Sequence, residues 1–581
     1  MKNSFKHLGW FFKQEYKKYI MLAILLLLLS ITPVIPTKLF GMVIDDIVGG
    51  SLTINKLIVF VLSLALLPIT RYIIAFVYHF YINYLGHKLS YTLREKYIAH
   101  LFDMDSSLYA KYTKGDLISR ATGDLQNLTV LATSFLQIVV FNSGVVISTI
   151  ISMLFISPIL MLASIFFMPI AIFYLNRKRM IKRKYYSIHR EIYADMTESV
   201  LESIEGVKAI RAYTEEENDF GKTKEAIEKD ANSWWKILKF ESIYTPLFEL
   251  VYAVSYFIGI AFGTYLVITN NISAGNLITM LMYIGMLYGP LIALSNTLNN
   301  VNNITISDER YHEIMDIIPE VKDGTKITSE VNFSVVKFEN VSFRYPNDNF
   351  DVIKNINLEI KKGETIGIVG PTGAGKSTLI RQFLREYNLV SGNIYIDGED
   401  IKDFRVEDIR NLVGYVPQDH VLFRRSVDDN ILIGNPYANP HQVDLAITIS
   451  DFKKDLKELP SGITTMVSEA GTSLSGGQKQ RLSIARALVK DPMILILDDS
   501  LSAVDALTEK NIINQLRQSR QNRTNIIIAH RFSAITNADK ILVIQNGEIT
   551  DMGTHAELLA YDNWYHTQYL KQTNGEEYEE L

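Results

Sequence analysis

Apolar runs long enough to cross a bilayer are confined to roughly the first 300 residues of this 581-residue chain. The candidates, 20–43, 57–85, 128–154, 158–176, 243–268 and 276–298, are each near or above the ~20 residues that a bilayer core requires. Six membrane helices are therefore expected, with Pro33 and Pro36 kinking the first. That first run is too long for a cleaved signal peptide, has Lys13, Lys17 and Lys18 before it, and lacks an A-x-A-like site after it. The amphipathic stretch FKHLGWFFKQEYKKY (5–19) is suited to lie along the membrane surface.

Basic residues set the orientation. NRKRMIKRK (176–184) carries six Lys or Arg just past the fourth run, and the N-terminus is also basic. The connectors IVGGSLTIN (47–55), ISP (156–158) and TNNISAGN (269–276) carry none. The positive-inside rule then puts the N-terminus and two long connectors, about 86–127 and 177–242, in the cytoplasm. Both connectors read as helical continuations of the spans. Their tips, around 102–124 and 198–219, hold the Gly and polar residues that turns require.

After the last span a helix is expected over 299–318, so the transmembrane domain is read as 1–318. The polar segment PEVKDGTKITSEVN begins a linker, 319–333. From 334 to 581, short β-rich runs alternate with helical patterns, which argues for a soluble α/β domain. This division explains a hydrophobic content of 48%, high for a chain with an ordinary soluble half. A net charge of −5 gives no global basic field, so nucleic acid is not expected as a partner. With no cysteine, disulfides, Cys-ligated zinc and thiol catalysis are excluded.

GPTGAGKST (370–378) lies between the apolar run ETIGIVG and the helical LIRQFLREY, the setting a phosphate-binding loop requires. Gly370, Gly373 and Gly375 permit the tight backbone that aims N–H groups at phosphate oxygens, and the helix N-terminus adds its positive end. Lys376 is expected to reach the β- and γ-phosphates, and the Ser377 hydroxyl to ligate Mg²⁺. The bare pattern also occurs as a chance glycine-rich turn; the strand–loop–helix context argues against it. Asp498 ends the apolar strand MILIL and can hold the metal, although alone it would read as an ordinary strand-end cap. LSGGQKQR (474–481) starts another helix. Its Ser475 lies 99 residues after Lys376 and 23 before Asp498, and Ser475, Gly476 and Gly477 offer a second anion-binding N-terminus.

This combination resembles the ATP-binding cassette (ABC) family, and the match covers nearly the whole chain: six spans followed by one cassette, the layout of an exporter half-transporter. The resemblance implies a multi-domain fold, with a six-helix exporter-type transmembrane domain and an α/β P-loop nucleotide-binding domain. It also implies two cassettes paired head to tail, each ATP lying between one loop (Gly370, Thr372, Gly373, Ala374, Gly375, Lys376, Ser377, Thr378) and the other chain's signature (Ser475, Gly476, Gly477, Gln478). Tyr345 would then stack on adenine, Gln418 touch Mg²⁺ and the attacking water, and His530 contact the γ-phosphate. SAVD (502–505) would cross to the partner cassette, and Glu469 in SEAG would face the intracellular tips, whose short coupling helices dock on the cassettes. Singly, each of Tyr345, Gln418 and His530 has a bland alternative as a surface aromatic, a loop hydrogen-bonder or a strand-end histidine.

In that family the residue after the metal Asp is normally Glu, the base that polarises water. Here it is Asp499, one methylene shorter, so its carboxylate falls about 1–1.5 Å short on an unchanged backbone. A misplacement of about 1 Å can cost ~10²-fold in rate, so impaired hydrolysis at this chain's own site is expected. A shifted strand end that lets Asp499 work normally is the alternative. The chain thus resembles the degenerate-site subunit of heterodimeric bacterial multidrug exporters. That implies a second half-transporter bearing Glu after its own metal Asp, a multi-pass place in the bacterial plasma membrane with both termini cytoplasmic, and export of hydrophobic or amphipathic drugs or lipids. Two other readings stay open: a homodimeric lipid or peptide exporter with Asp499 as a working base, and a non-transporting regulatory membrane subunit. Arg71 and Glu249 are intramembrane charges, either substrate contacts or a structural pair or snorkelling residues.

Overall fold

The computed structural model describes residues 2–327, 333–346, 348–468, 471 and 474–579. Within them it describes the side-chain surroundings of all but 2, 3, 136, 171–183, 240, 243–245, 248, 295, 296, 298–302 and 574–579. The chain divides into two compact units, one of residues 1–99 and 118–316, the other of residues 100–117 and 317–581.

The first unit is helical. Five of its described helical stretches are long and apolar enough to cross a membrane: Tyr16–Val48, Ile54–Asp103, Lys114–Ile156, Glu249–Ile268 and Ala274–Leu294. Where a fourth span is expected, the described apolar stretch is shorter, Pro158–Ile170. The helix itself runs on from Phe167 to Glu205, through residues whose surroundings are not described. The first span breaks at Thr32 and Pro33, between helices Tyr16–Ile31 and Val34–Val48. Proline removes a backbone donor and clashes with the preceding turn. Helix Ile54–Asp103 has 50 residues, about 75 Å at 1.5 Å per residue. That is more than twice a ~30 Å bilayer core, and Ala274–Met315, with 42 residues, is similarly overlong. Residues such as Ile58, Leu62 and Phe76 are exposed, as lipid-facing side chains of a span must be.

Asp45 joins the far end of the first span to the start of the last. Its carboxylate accepts from the Ser273 hydroxyl at 2.6 Å and the Gly275 N–H at 2.7 Å. An acid at a helix N-terminus satisfies orphan donors and faces the positive end of the helix. The two backbones approach so closely that a Cβ on Gly275 would sit 1.9 Å from the Gly41 carbonyl. Farther along the same pair, Tyr283 donates to the Val34 carbonyl at 3.2 Å.

The second unit holds two sheets. A four-stranded antiparallel sheet, in the order β2-β1-β4-β5, uses β1 (Val335–Phe343), β2 (Ile353–Lys361), β4 (Ser391–Ile396) and β5 (Glu399–Asp400). A six-stranded sheet, in the order β10-β9-β3-β8-β7-β6, uses β3 (Thr365–Val369), β6 (Val413–Val416), β7 (Ile494–Asp498), β8 (Thr524–Ile528), β9 (Lys540–Gln545) and β10 (Glu548–Gly553). All its pairings are parallel except β10 on β9. The residue patterns explain the difference. Strand β2, IKNINLEIK, alternates polar and apolar and buries one face, whereas ILILD of β7 and TNIII of β8 are buried throughout. Ile494 and Ile496 of β7 enter one hydrophobic core while Leu495 and Leu497 enter another on the opposite face.

The tip residues 100–117 cluster with this soluble unit rather than with the spans. Asp105 caps the short helix Ser106–Lys111, accepting from the Ser107 N–H at 3.0 Å, and its other oxygen accepts from the Val321 N–H at 2.9 Å. Burial opposes ionisation of Asp105, but hydrogen bonds from Ser107 and from the Val321 backbone outweigh it and hold the carboxyl below its usual range. The expected linker is not free chain: the Gly324 and Lys326 N–H groups donate to Phe404 and Asp403 carbonyls at 3.1 and 2.9 Å, and its residues 328–332 lie outside the described residues.

Arg481 and Asp455 form a buried bidentate pair, with Nε and Nη2 donating to the two carboxylate oxygens at 2.6 and 2.7 Å. Removing one partner strands a buried charge, at a cost of about 3–5 kcal/mol. Asp455→Ala is expected to lower the melting midpoint of the full chain markedly, whereas Asp455→Leu with Arg481→Met is expected to recover most of it.

Candidate functional site

Parallel pairing brings the carboxyl ends of β3, β6, β7 and β8 to one edge of the sheet, where ligands of open α/β folds bind. From these ends come the phosphate-loop residues after Val369, Gln418 after Val416, Asp498 and Asp499 at the end of β7, and His530 just beyond β8. Together they line one cavity of about 230 Å³, which takes in Thr372 to Thr378, Gln418, Asp498, Asp499 and His530.

The loop backbone needs glycine where it turns. Gly370, Gly373 and Gly375 have φ of 154°, 82° and 98°, and a Cβ on Gly370 would lie 2.0 Å from the Ile544 carbonyl. Helix Lys376–Phe383 starts directly after Gly375, with its first turn facing the cavity. Lys376 is 7% exposed, and its ammonium donates to the Gly370 and Pro371 carbonyls at 2.9 and 3.0 Å. Burial lowers its pKa, against the opposing influence of Asp499 and Asp498. A desolvated cation held by neutral carbonyls favours an incoming anion.

Ser377 donates its hydroxyl to Asp498 at 2.7 Å, and Tyr415 donates to the other Asp498 oxygen at 3.1 Å. A hydroxyl and a carboxylate in contact are the hard oxygen donors that Mg²⁺ takes, so the residues present fit that ion. Asp499 is different in kind. Its φ of 48° is left-handed, a region in which Asp and Asn are enriched among non-glycine residues, and its N–H donates to the Ile528 carbonyl at 3.0 Å. The carboxylate lies 3.5 Å from Gln418 Nε2 and 3.9 Å from His530 Nε2. Burial raises its pKa above the usual carboxylate range; His530 opposes this and Asp498 adds to it.

Tyr345 stands apart from the cavity lining, packed edge-on against Phe343 and Tyr387 and hydrogen-bonded to Thr378 at 3.1 Å. Ser475 caps helix Gly476–Leu488 in a capping box with Gln478, and Ser475 and Gly476 are exposed. Within this chain the structure does not bring Ser475, Gly476, Gly477 and Gln478 into the phosphate-loop cavity. Glu469 and Ala470 lie outside the described residues. Arg71 and Glu249 are both exposed, and neither forms an ion pair with a described residue, so the two are not a mutual salt bridge.

Residue-type reasoning missed Tyr415 on Asp498, since an aromatic inside a strand carries no signal of its own. It also missed Gln480, buried at 2% exposure, which accepts from the Ala503 N–H at 3.0 Å and donates to Ser502 at 3.4 Å. Ser502 in turn donates to the Asp499 backbone carbonyl at 3.1 Å, linking the signature helix to the main chain of the second acid. The adjoining LSGG and SAVD runs were the only available hint.

A family model described as the ABC transporter transmembrane region matches residues 19–291, and one described as ABC transporter matches 353–502. The chain is 37% identical, over 98% of its length and 97% of the relative's, to the "Probable multidrug resistance ABC transporter ATP-binding/permease protein YheI" of Bacillus subtilis (strain 168). Over 98% of its length and 96% of the relative's, it is 29% identical to the "Multidrug resistance-like ATP-binding protein MdlA" of Escherichia coli (strain K12). A solved bacterial Atm1-family ABC exporter with ATP bound superposes with a TM-score of 0.79 at 25% identity, covering 96% of this chain and 98% of that one. Apolar spans, a phosphate loop at the edge of a parallel sheet and this end-to-end similarity make the chain a member of the ABC transporter family, with its membrane region and its ATP-hydrolysing region fused in one polypeptide.

Proposed function

We propose that this chain is one half of a heterodimeric exporter that moves hydrophobic or amphipathic compounds, drugs or lipids, out across a bacterial plasma membrane. Its ATP site holds nucleotide but hydrolyses it slowly, and its signature completes the working site of a partner that carries Glu after its own metal Asp. Both termini are cytoplasmic. The observation that carries the reading is Asp499: a short acid in the position of the base, its carboxylate at the limit of hydrogen-bond reach from Gln418. The printed names of the relatives, which speak of multidrug resistance, support drugs within that class.

Lys376 and the loop N–H groups, from Gly370, Thr372, Gly373, Ala374, Gly375, Ser377 and Thr378, bind the phosphates of ATP. Tyr345 stacks on the adenine, and His530 contacts the γ-phosphate. Ser377 and Asp498 would hold Mg²⁺, assisted by Gln418, and that ion would offset phosphate charge. Ser475, Gly476, Gly477 and Gln478 face the partner's nucleotide across the cassette sandwich. ATP closes the sandwich and turns the cavity outward; hydrolysis at the partner's site resets it. Arg71 and Glu249 are assigned to the substrate path as intramembrane charges.

In the purified pair, Asp499→Ala is expected to change steady-state ATP turnover less than about twofold. Replacing the partner's Glu by Gln should remove roughly 10²-fold or more, the scale of a lost general base. Lys376→Ala should abolish nucleotide binding at this chain's site, read with a fluorescent ATP analogue. The proximity of Asp499 to Gln418 and His530 favours one second reading, a homodimer with a tolerant Asp base. A large loss of turnover in Asp499→Ala alone would decide for it.

Asp105 generates a coupling prediction, because it ties a tip helix to the segment that leads into the soluble unit. Asp105→Ala is expected to leave ATP turnover largely intact while vesicle transport falls several-fold; equal loss of both would exclude a coupling role.

A further inference from the structure

In the helical unit, three metal-ligating side chains converge where the N-terminal helix Lys2–His7 meets the end of helix Ala274–Met315. His7 Nδ1 lies 3.0 Å from Asp308 Oδ2, and His312 Nδ1 lies 3.2 Å from Asp308 Oδ1. One carboxylate is therefore bracketed by two imidazoles, each through its own oxygen and its Nδ1, and His312 Nδ1 also lies 3.0 Å from the Asp308 backbone carbonyl, a contact that an ion would have to replace. Asp308 and His312 are four residues apart and so share a helix face, whereas His7 arrives from 301 positions earlier in the chain. The two rings lie over each other with centroids 3.9 Å apart, and Tyr311 backs His312 at 5.1 Å.

Three features separate this cluster from an incidental surface contact. Asp308 is only 3% exposed, so its charge requires a cationic or donor partner in place. All three ligating atoms lie within 4.8 Å of one another. A tetrahedral site with bonds of about 2.0–2.1 Å spaces its ligands ~3.3 Å apart; the 3.0 and 3.2 Å contacts run to different oxygens of Asp308, so small side-chain rotations would bring both rings and one oxygen onto a single ion. Two overlapping imidazoles cannot both become cations beside a single carboxylate without mutual repulsion, whereas two neutral rings can share one divalent ion.

We propose that His7, Asp308 and His312 form a transition-metal site of the zinc class, two imidazoles and one carboxylate with a fourth position for water, that fastens the N-terminal helix to the end of the last long helix. Imidazole ligands select Zn²⁺-type ions over Mg²⁺ or Ca²⁺, which prefer all-oxygen shells. The ion binds the folded chain by joining segments 301 residues apart, so it stabilises the folded state by mass action.

The test uses the full chain in lipid nanodiscs, free of any affinity tag and of nucleotide, titrated with Co²⁺ as an optical reporter and then with Zn²⁺. Wild type is expected to take up one Co²⁺ per chain with the visible bands of a tetrahedral site, and Zn²⁺ is expected to abolish those bands and raise the melting midpoint. His7→Gln and His312→Gln are each expected to lose both the bands and the Zn²⁺-dependent rise. His7 lies in a short terminal helix, and His7→Gln keeps a polar group there, so its melting midpoint without metal serves as the folding control. Absence of stoichiometric Co²⁺ uptake by wild type would overturn the proposal. So would uptake that survives His7→Gln and His312→Gln, which would place the ion at another site such as Ser377 and Asp498.

Discussion

The parallel ladder of β6, β7, β8 and β3 is the constraint on which the nucleotide site depends. Parallel strands all end on the same side, so four separate stretches of sequence deliver a phosphate loop, a glutamine, two carboxylates and a histidine to one edge without any dedicated scaffold. That ladder exists because β7 and β8 are apolar on both faces, with alternate residues feeding two cores. A polar residue facing either core would weaken the sheet and displace the site together.

Within that edge, charge is arranged asymmetrically. Lys376 is buried among carbonyls with no carboxylate in hydrogen-bond contact among the described residues, while Asp498 is already engaged by Ser377 and Tyr415. The cavity therefore presents a desolvated cation close to two acids, one of them already oriented by hydroxyl donors. Phosphate and a divalent ion together would satisfy both.

The legible parts of this chain were those where composition and position agree. The unbroken apolar strands, the glycines at left-handed turns and the kink at Pro33 each follow from one local physical rule. What stayed hidden depends on tertiary neighbours. Tyr415 reaches Asp498 only because β6 pairs beside β7, and Gln480 reaches Ser502 only because the signature helix packs over the loop after β7. Arg71 and Glu249 are conspicuous in sequence as charges in apolar runs; both are exposed, and neither has an ionic partner among the described residues. The tip around 102–124 is expected to turn and to supply a short coupling helix, and residues 100–117, with helix Ser106–Lys111, group with the soluble unit.

The first and last long helices of the membrane unit are joined at both extremities. At one end Asp45 caps the start of Ala274–Met315; at the other, His7, ahead of the first span, meets Asp308 and His312. Between them, Tyr283 holds the Val34 carbonyl. The upper and middle contacts hold the first span to the last, and the lower one holds the short helix that precedes the first span. Such contacts oppose sliding of the chain's first segments past its last long helix, even across the break at Pro33.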